Sequence, residues 1–389
     1  TPDGSPQNTK SASQTQSNSS TEQAQPEPSP GGEQPFGELV LPNIEIPDSF
    51  ESKNEEIEFM FEYYMQAVPS ITWLPDYDPV GYPGIKALYY DGLKNNGVQT
   101  KIFAYIGFPE GASAENPVPA VVLLHGGGGF AFPQWVKVWN NRGYAAIAMC
   151  NTGYRPKNGS ITSFYDSNDW IKSIPAEERK EDSRILIPDN DGMSSYNRDV
   201  SRQWMYHAVG SAIMANNLLR ADERIDSDKI GLTGISWGGV IASIAMGYDN
   251  RYAFNIPIYG HAHLGESLTW MKNHFTPGAV ELWDASKRLD KVTSPILWLC
   301  WAGDNAFSIN PNSASYMDTI SKSVFSMRMN MGHSHDLGWI PYESYRFADW
   351  AVKGGLPMTS IKEHPSSSAG RDVDLSVEIP SDTTALSAI

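Results

Sequence analysis

Gly234-Ile235-Ser236-Trp237-Gly238 stands between a short apolar run at 230–233 and a run of small and apolar residues at 239–246. This order predicts a strand that turns sharply into a helix, with the serine on the corner and its hydroxyl outside the sheet. Glycine is expected on both sides because the backbone segments approach closely there. We therefore expect Ser236 to be a nucleophile, with the first amide groups of the helix facing any negative charge that develops beside it.

Two later segments supply an acid and a base in the chain order that such a serine requires. Asp304 comes just after the apolar run 296–300, and His333 comes just after the run 324–329. A serine hydroxyl needs an imidazole to take its proton, and the imidazole needs a carboxylate to fix its tautomer. The sequence therefore predicts Ser236, Asp304 and His333 as a catalytic triad at one edge of a sheet.

Other residues compete for the acid and base roles. His335 is a second candidate base, and we favour His333 because the preceding Gly332 suits a turn that directs the imidazole inward. Of the late aspartates, Asp304 alone ends an apolar strand. The other candidate acids are Asp290, Asp318 and Asp336.

A glycine-rich segment, His125-Gly126-Gly127-Gly128-Gly129, follows another buried apolar run. Glycines leave backbone N–H groups uncovered, so two of these groups can point at one oxyanion beside the nucleophile. We expect Gly127 and Gly128, with the amide of Trp237, to form this oxyanion site. A phosphate-binding loop is the alternative, but it needs Lys followed by Ser or Thr, and Phe130-Ala131-Phe132 stands there instead.

Four histidines form two His-x-His pairs, His261 with His263 and His333 with His335. On an extended chain this spacing places both rings on one side, as zinc ligands require. No carboxylate stands at a ligand-like spacing to either pair, so we expect neither a metal nor another cofactor. His125, His261, His263 and His335 are instead candidates for the wall of the cleft, with a structural role as the alternative.

Composition limits the class of partner. The 389 residues include 29 Lys and Arg against 45 Asp and Glu, a formal charge of −16, and no basic cluster is present. Nucleic acid and anionic membranes are therefore poor partners. The 12 Trp and 18 Tyr residues could include flat surfaces for sugar rings or aryl groups. Cys150 and Cys300 each end an apolar run, and we expect two buried free thiols.

Short apolar runs alternate with helical stretches such as 199–219, which predicts a mostly parallel central sheet with helices on both faces. No window of about 18 apolar residues is present that could form a membrane-spanning helix. We divide the chain into four parts: a disordered tether (1–35), an N-terminal helical and irregular segment packed on the core (36–97), a catalytic α/β domain (98–355) and a C-terminal extension (356–389). The catalytic domain contains a cap-like insertion (151–200). The extension contains one predicted strand (373–379), which either starts a β module or packs as an edge strand.

The tether is rich in Ser, Gln, Thr, Asn and Pro and has almost no apolar residues to bury. It also begins without Met, which suggests a processed start. We expect an exported bacterial protein, periplasmic or at the cell surface, with a lipid anchor upstream of residue 1 as a candidate attachment. The sequence says nothing of its oligomeric state.

The region 98–355 resembles the bacterial acetyl xylan esterase and dienelactone hydrolase-like branch of the α/β-hydrolase superfamily, which is related to the catalytic domain of prolyl oligopeptidases. Three stretches carry the resemblance: Val121-Val122-Leu123-Leu124-His125-Gly126-Gly127-Gly128-Gly129, Arg202-Gln203-Trp204-Met205-Tyr206-His207-Ala208 and Asp228-Lys229-Ile230-Gly231-Leu232-Thr233-Gly234-Ile235-Ser236-Trp237-Gly238-Gly239. The resemblance implies the α/β-hydrolase fold, Ser236 as nucleophile, Asp304 as acid and a base within Gly332-His333-Ser334-His335.

The activity that this resemblance implies is the hydrolysis of carboxylic esters through an acyl-enzyme, most specifically the deacetylation of plant polysaccharide or oligosaccharide. A broader carboxylesterase or feruloyl esterase is the first alternative. A peptidase is disfavoured because about 100 residues precede the hydrolase region, too few for a β-propeller. A dienelactone hydrolase would carry Cys in place of Ser236. The non-enzyme alternative is a carbohydrate-binding protein on the same fold.

Overall fold

The computed structural model describes residues 37–156, 170–172, 187–363 and 376–378. The predicted tether at 1–35, most of the C-terminal extension and two parts of the cap-like insertion lie outside the described residues. The predicted strand at 373–379 is described only at Ser376–Glu378, which pairs antiparallel with Ser360–Glu363. A second small ribbon pairs Tyr154–Pro156 with Trp170–Lys172.

A twisted sheet of nine strands forms the centre of the described part of the chain. Its strands are β1 Ile71–Trp73, β2 Ile85–Asn95, β3 Val98–Gly107, β4 Val118–Leu124, β5 Ala145–Met149, β6 Ile225–Ile235, β7 Phe254–Ile258, β8 Ile296–Trp301 and β9 Ser323–Arg328. The spatial order is β1-β2-β3-β5-β4-β6-β7-β8-β9. The six strands β5-β4-β6-β7-β8-β9 pair parallel with their neighbours. The neighbouring pairs β1–β2, β2–β3 and β3–β5 are antiparallel. The predicted mostly parallel sheet is confirmed.

Eight α-helices accompany the sheet within the described residues. They are α1 Lys53–Met65, α2 Pro133–Asn140, α3 Trp204–Arg220, α4 Trp237–Tyr248, α5 Pro277–Trp283, α6 Ile309–Met317, α7 His335–Trp339 and α8 Tyr342–Lys353. Helices α3 and α4 pack on each other and on the sheet, and α2 contacts β5 and β3. Strands β4, β5, β7 and β8 are buried along nearly their whole length, because helices cover them and their sequences are almost wholly apolar.

The sheet begins earlier than the domain boundary at residue 98 suggests. Strands β2 and β3 form a hairpin closed by Asn96 and Gly97, with φ of 50° and 82°. Asn-Gly is a strong two-residue hairpin signal, because both positions require positive φ. The structure therefore places β1 and β2 in the same sheet as the strands of the predicted catalytic domain.

The N-terminal helix is part of the same core. The ring of Phe61 in α1 stacks on Tyr206 of α3 at 5.3 Å between centroids. The side-chain amide of Asn217 donates to the carbonyl oxygens of Tyr64 and Ala67, at 2.7 and 2.8 Å. These contacts fix the end of α1 against α3.

The two cysteines are buried and unpaired, Cys150 after β5 and Cys300 within β8. Three strands, β4, β6 and β7, separate β5 from β8 in the sheet. A search of the described helices finds none with the length and apolar character needed to cross a membrane.

Candidate active site

Ser236 occupies a sharp corner between β6 and α4. Its backbone has φ 58° and ψ −120°, and its N–H donates to the carbonyl of Ile258 at 3.0 Å. A Cβ built on Gly234 would lie 2.0 Å from the carbonyl oxygen of Gly238, and one on Gly238 would lie 2.0 Å from that of Leu124. Side chains are therefore excluded at both positions, and the corner lifts the serine out of the sheet.

The structure brings the three predicted triad side chains together. They come from the ends of β6, β8 and β9, which meet at one edge of the sheet because these strands run parallel. The Nε2 atom of His333 lies 2.9 Å from Oγ of Ser236, and its Nδ1 atom lies 2.7 Å from Oδ2 of Asp304. This places a hydroxyl, an imidazole and a carboxylate in one hydrogen-bonded row.

The surroundings of Asp304 hold its carboxylate in place. Its side chain is 0% exposed, and Oδ1 accepts hydrogen bonds from the backbone N–H groups of Ala306 and Phe307, at 2.8 and 3.0 Å. Three hydrogen bonds therefore fix both oxygens. A carboxylate held this way selects the His333 tautomer with its proton on Nδ1, which leaves Nε2 free to accept the serine proton.

Two aromatic rings that sequence reasoning missed hold the imidazole of His333. The ring of Tyr259 lies 4.5 Å from it, and the ring of Phe307 stacks on it at 5.8 Å and 6°. Tyr259 has φ 32°, and its hydroxyl donates to the carbonyl of Ser334. The sequence signal that could have identified Tyr259 was its position directly after β7, because β7 is the neighbour of the strand that leads to Ser236.

His335, the competing base, has a different role. Its Nε2 accepts the backbone N–H of Gly126 at 2.9 Å, and its ring lies 4.8 Å from that of Phe132. Burial lowers the pKa of His335 to about 4. A Cβ on Gly129 would lie 2.4 Å from the same Nε2. The neutral imidazole of His335 thus binds the backbone of the glycine segment. The histidine that contacts Ser236 is His333.

The glycine segment curves beside the serine. Gly128 has φ 69°, and a Cβ on Gly127 would lie 2.9 Å from the indole of Trp237. The N–H of Gly126 is used by His335. Within the described residues, the amides of Gly127 and Gly128 donate to no backbone carbonyl, and that of Trp237 begins α4 without one. The three amides predicted as oxyanion donors are therefore among the amides that have no backbone acceptor in the described residues.

Two of the other histidines expected along the cleft are buried beside the site, since His125 begins the glycine segment and the ring of His261 lies 5.5 Å from that of Phe307. His125 and His261 are each only 1% exposed, and burial lowers their pKa values to about 3 and about 4. Nε2 of His125 accepts the N–H of Asn151 at 3.1 Å, so this histidine links the ends of β4 and β5. His263 lies between two carboxylates, with Nδ1 3.3 Å from Glu266 and Nε2 2.9 Å from Asp318. The described residues contain no group of three or more metal-ligating side chains.

This arrangement is suited to acyl transfer. A hydroxyl nucleophile, a base with a fixed tautomer and adjacent uncommitted N–H donors are the parts that nucleophilic attack on a carbonyl carbon requires. The structure orders all of these at the edge where the parallel strands end.

Comparison with known proteins identifies the fold. No protein-family model matches the chain, and no curated sequence matches it. Among solved structures, the acetyl xylan esterase from Paenibacillus sp. R4 superposes with a TM-score of 0.55 at 16% identity, over 78% of this chain and 97% of that one. Acetyl Xylan Esterase 1 from Thermoanaerobacterium sp. JW/SL YS485 gives a TM-score of 0.50 at 13% identity, over 72% and 89%. The chain therefore has the α/β-hydrolase fold.

Proposed function

We propose that this chain, which has the α/β-hydrolase fold, is a serine esterase that hydrolyses carboxylic esters through an acyl-enzyme. The observation that carries the proposal is the continuous row of Ser236, His333 and Asp304 on a strained corner, with contacts of 2.9 and 2.7 Å. Such a row raises the nucleophilicity of a serine that would otherwise be inert.

In the proposed reaction, Oγ of Ser236 attacks the ester carbonyl while its proton passes to Nε2 of His333. Asp304 stabilises the imidazolium through Nδ1–H. The negative charge on the carbonyl oxygen is held by N–H groups of the glycine segment (Gly127 and Gly128) and Trp237. Collapse of the tetrahedral intermediate breaks the ester C–O bond, and the leaving alcohol takes the proton from His333.

The second half of the reaction repeats these steps with water. His333 takes a proton from water as the water oxygen attacks the acyl carbon, and the same N–H groups hold the oxyanion. The intermediate then releases a carboxylic acid, and Oγ of Ser236 recovers its proton. Every proton passes through one imidazole, which explains why a single tautomer must be maintained.

The proposed substrate is an acetylated sugar polymer or oligosaccharide. Two solved proteins of this fold are acetyl xylan esterases, and nearly the whole of the first aligns with this chain. The chain carries a formal charge of −16, which favours a neutral substrate over an anionic one. Aryl esters such as feruloyl esters are the second class to compare.

The test is active-site labelling followed by turnover. A fluorophosphonate probe should label the wild-type chain on the peptide that contains Ser236, and Ser236→Ala should remove the label and slow p-nitrophenyl acetate hydrolysis by at least about 10⁴-fold. Circular dichroism and the thermal unfolding temperature of the variant serve as the control for its fold. Wild-type turnover by Ser236→Ala, or labelling of a different serine, would refute the assignment.

A further inference from the structure

A row of aromatic rings leads from the nucleophile toward the surface. Trp237, next to Ser236, is 8% exposed, and its ring lies 5.2 Å from that of His274. The ring of His274 lies 5.9 Å from that of Trp270, which is 52% exposed. The outermost indole therefore presents a large part of its surface to solvent two ring contacts away from Trp237. An exposed indole at the end of such a row is available to a ligand.

The segment that carries Trp270 is tied to the triad. Trp270 begins the 3₁₀ helix Trp270–His274, and the hydroxyl of the preceding Thr269 donates to the carbonyl of Ala306. The N–H of Ala306 donates in turn to Oδ1 of Asp304 at 2.8 Å. Two hydrogen bonds thus connect the segment that carries the exposed indole to the triad acid.

A carboxylate accompanies the aromatic row. A Cβ on Gly192 would lie 2.3 Å from Nδ1 of His274, so the segment that contains Asp191 touches the row. Oδ1 of Asp191 is buried and has no hydrogen-bond partner among the described residues. The side chain of Gln203 donates to the carbonyl of Tyr196 at 3.1 Å, which helps hold this segment in place. Asp191 as a whole is only half-buried, so part of the residue faces solvent beside His274, where a ligand can donate to its carboxylate.

We infer that Trp270 is a stacking platform for a sugar ring of the ester substrate and that Asp191 accepts hydrogen bonds from sugar hydroxyls. The inference rests on the proposed function and names the residues that select its substrate. A sugar ring offers an apolar C–H face to an indole and hydroxyl donors to a carboxylate, whereas an aryl ester offers the ring face alone. The presence of both groups beside His274 therefore favours the sugar ester.

The experiment compares substrates within each variant. The measured quantity is kcat/KM for acetylated xylotetraose divided by kcat/KM for p-nitrophenyl acetate. Trp270→Ala should lower this ratio about tenfold, and Asp191→Asn should lower it to a similar extent, because each removes a contact to the sugar. With methyl ferulate in place of the sugar ester, Asp191→Asn should leave the corresponding ratio near the wild-type value.

Trp73→Ala is the matched control. Trp73 is 39% exposed on β1, at the edge of the sheet opposite β9, so its loss should not change the ratio. Calorimetric titration of xylotetraose into the wild-type, Trp270→Ala and Trp73→Ala proteins tests binding without turnover. Selective loss of binding in Trp270→Ala supports the platform even in a chain without esterase activity. Equal kcat/KM ratios in the wild-type and Trp270→Ala proteins, or equal affinities for xylotetraose, would overturn the role of Trp270. Ester hydrolysis by the same proteins would then still support the proposed function.

Discussion

At the scale of single residues, two histidines only two positions apart have separate tasks. His333 lies 2.9 Å from the serine oxygen with its side chain 25% exposed, whereas His335 is half-buried and accepts a backbone N–H from the glycine segment. The sequence favoured His333 through Gly332, and the geometry agrees with that preference. The task of His335 could not be read from the sequence, because its partner Gly126 stands 209 residues away.

Replacing His335 should affect the chemical step more than substrate binding. His335→Leu removes the acceptor for the Gly126 N–H and lets the glycine segment shift, and a displacement of about 1 Å near the reacting atoms can slow a reaction about 100-fold. We expect at least about a tenfold loss in kcat on p-nitrophenyl acetate with little change in KM.

His335→Gln, whose side-chain oxygen can accept the same N–H, should recover part of the lost kcat. Steady-state kinetics of the two variants make the comparison. A His335→Leu protein with wild-type kcat, or one impaired in KM alone, would show that the imidazole does not position the glycine segment.

At the scale of elements, the corner between β6 and α4 is the most constrained part of the site. Sequence patterns predicted a strand at the apolar run 230–233 and a following helix, and the structure gives β6 as Ile225–Ile235 and α4 as Trp237–Tyr248. The strand is longer than its apolar run because Ile225 pairs with Val118 of β4 ahead of an irregularity at 226–229, and regular pairing resumes at Ile230. A run of hydrophobic residues indicates which part of a strand is buried. It therefore cannot show where a strand begins when its first residues are partly exposed.

Gly238→Ala should disrupt this corner. The added methyl group would lie 2.0 Å from the carbonyl oxygen of Leu124, a backbone atom that cannot move without distorting β4. We expect the free energy of unfolding to fall by about 2 kcal/mol or more and ester hydrolysis to be largely lost.

Gly37→Ala is the control, because a methyl group at Gly37 meets no atom within 4 Å. Urea unfolding of both variants provides the measurement. If Gly238→Ala were as stable and active as Gly37→Ala, the close approach of the α4 start to β4 would be refuted.

At the scale of the whole molecule, the core encloses three histidines, His125, His207 and His261, and His335 is half-buried at the site. Burial lowers the pKa of His125 to about 3 and those of His207, His261 and His335 to about 4. His207 lies in α3, away from the triad, and its Nε2–H donates to the carbonyl of Ser201 at 2.8 Å. The unfolded chain exposes these rings to water, where the pKa of histidine is about 6.5.

Acidification below about pH 6.5 should therefore destabilise the fold. Between the unfolded pKa and the folded pKa near 4, the unfolded state binds a proton that the folded state does not. Stability supplied by each neutral histidine is thus present above about pH 6.5 and is lost as the pH falls, by up to about 1.4 kcal/mol per pH unit.

His207→Gln isolates one contribution, because glutamine can donate to Ser201 without titrating. The free energy of unfolding from urea titrations at pH 7, 6 and 5 should fall less steeply for the variant than for the wild-type chain. Parallel pH profiles for the two proteins would show that His207 is not held neutral by burial.

The sequence by itself determined the class of fold, the corner that carries Ser236 and the residues predicted to act with it, because periodicity, glycine placement and chain order are local properties. It also contained the Asn96-Gly97 hairpin signal that extends the sheet toward the N-terminus. Only the tertiary structure decided which histidine meets the serine, which glycine amides stay uncommitted, and that Trp270 stands at the end of an aromatic row. Such relations join residues far apart in the chain, and packing of the sheet edge sets their distances.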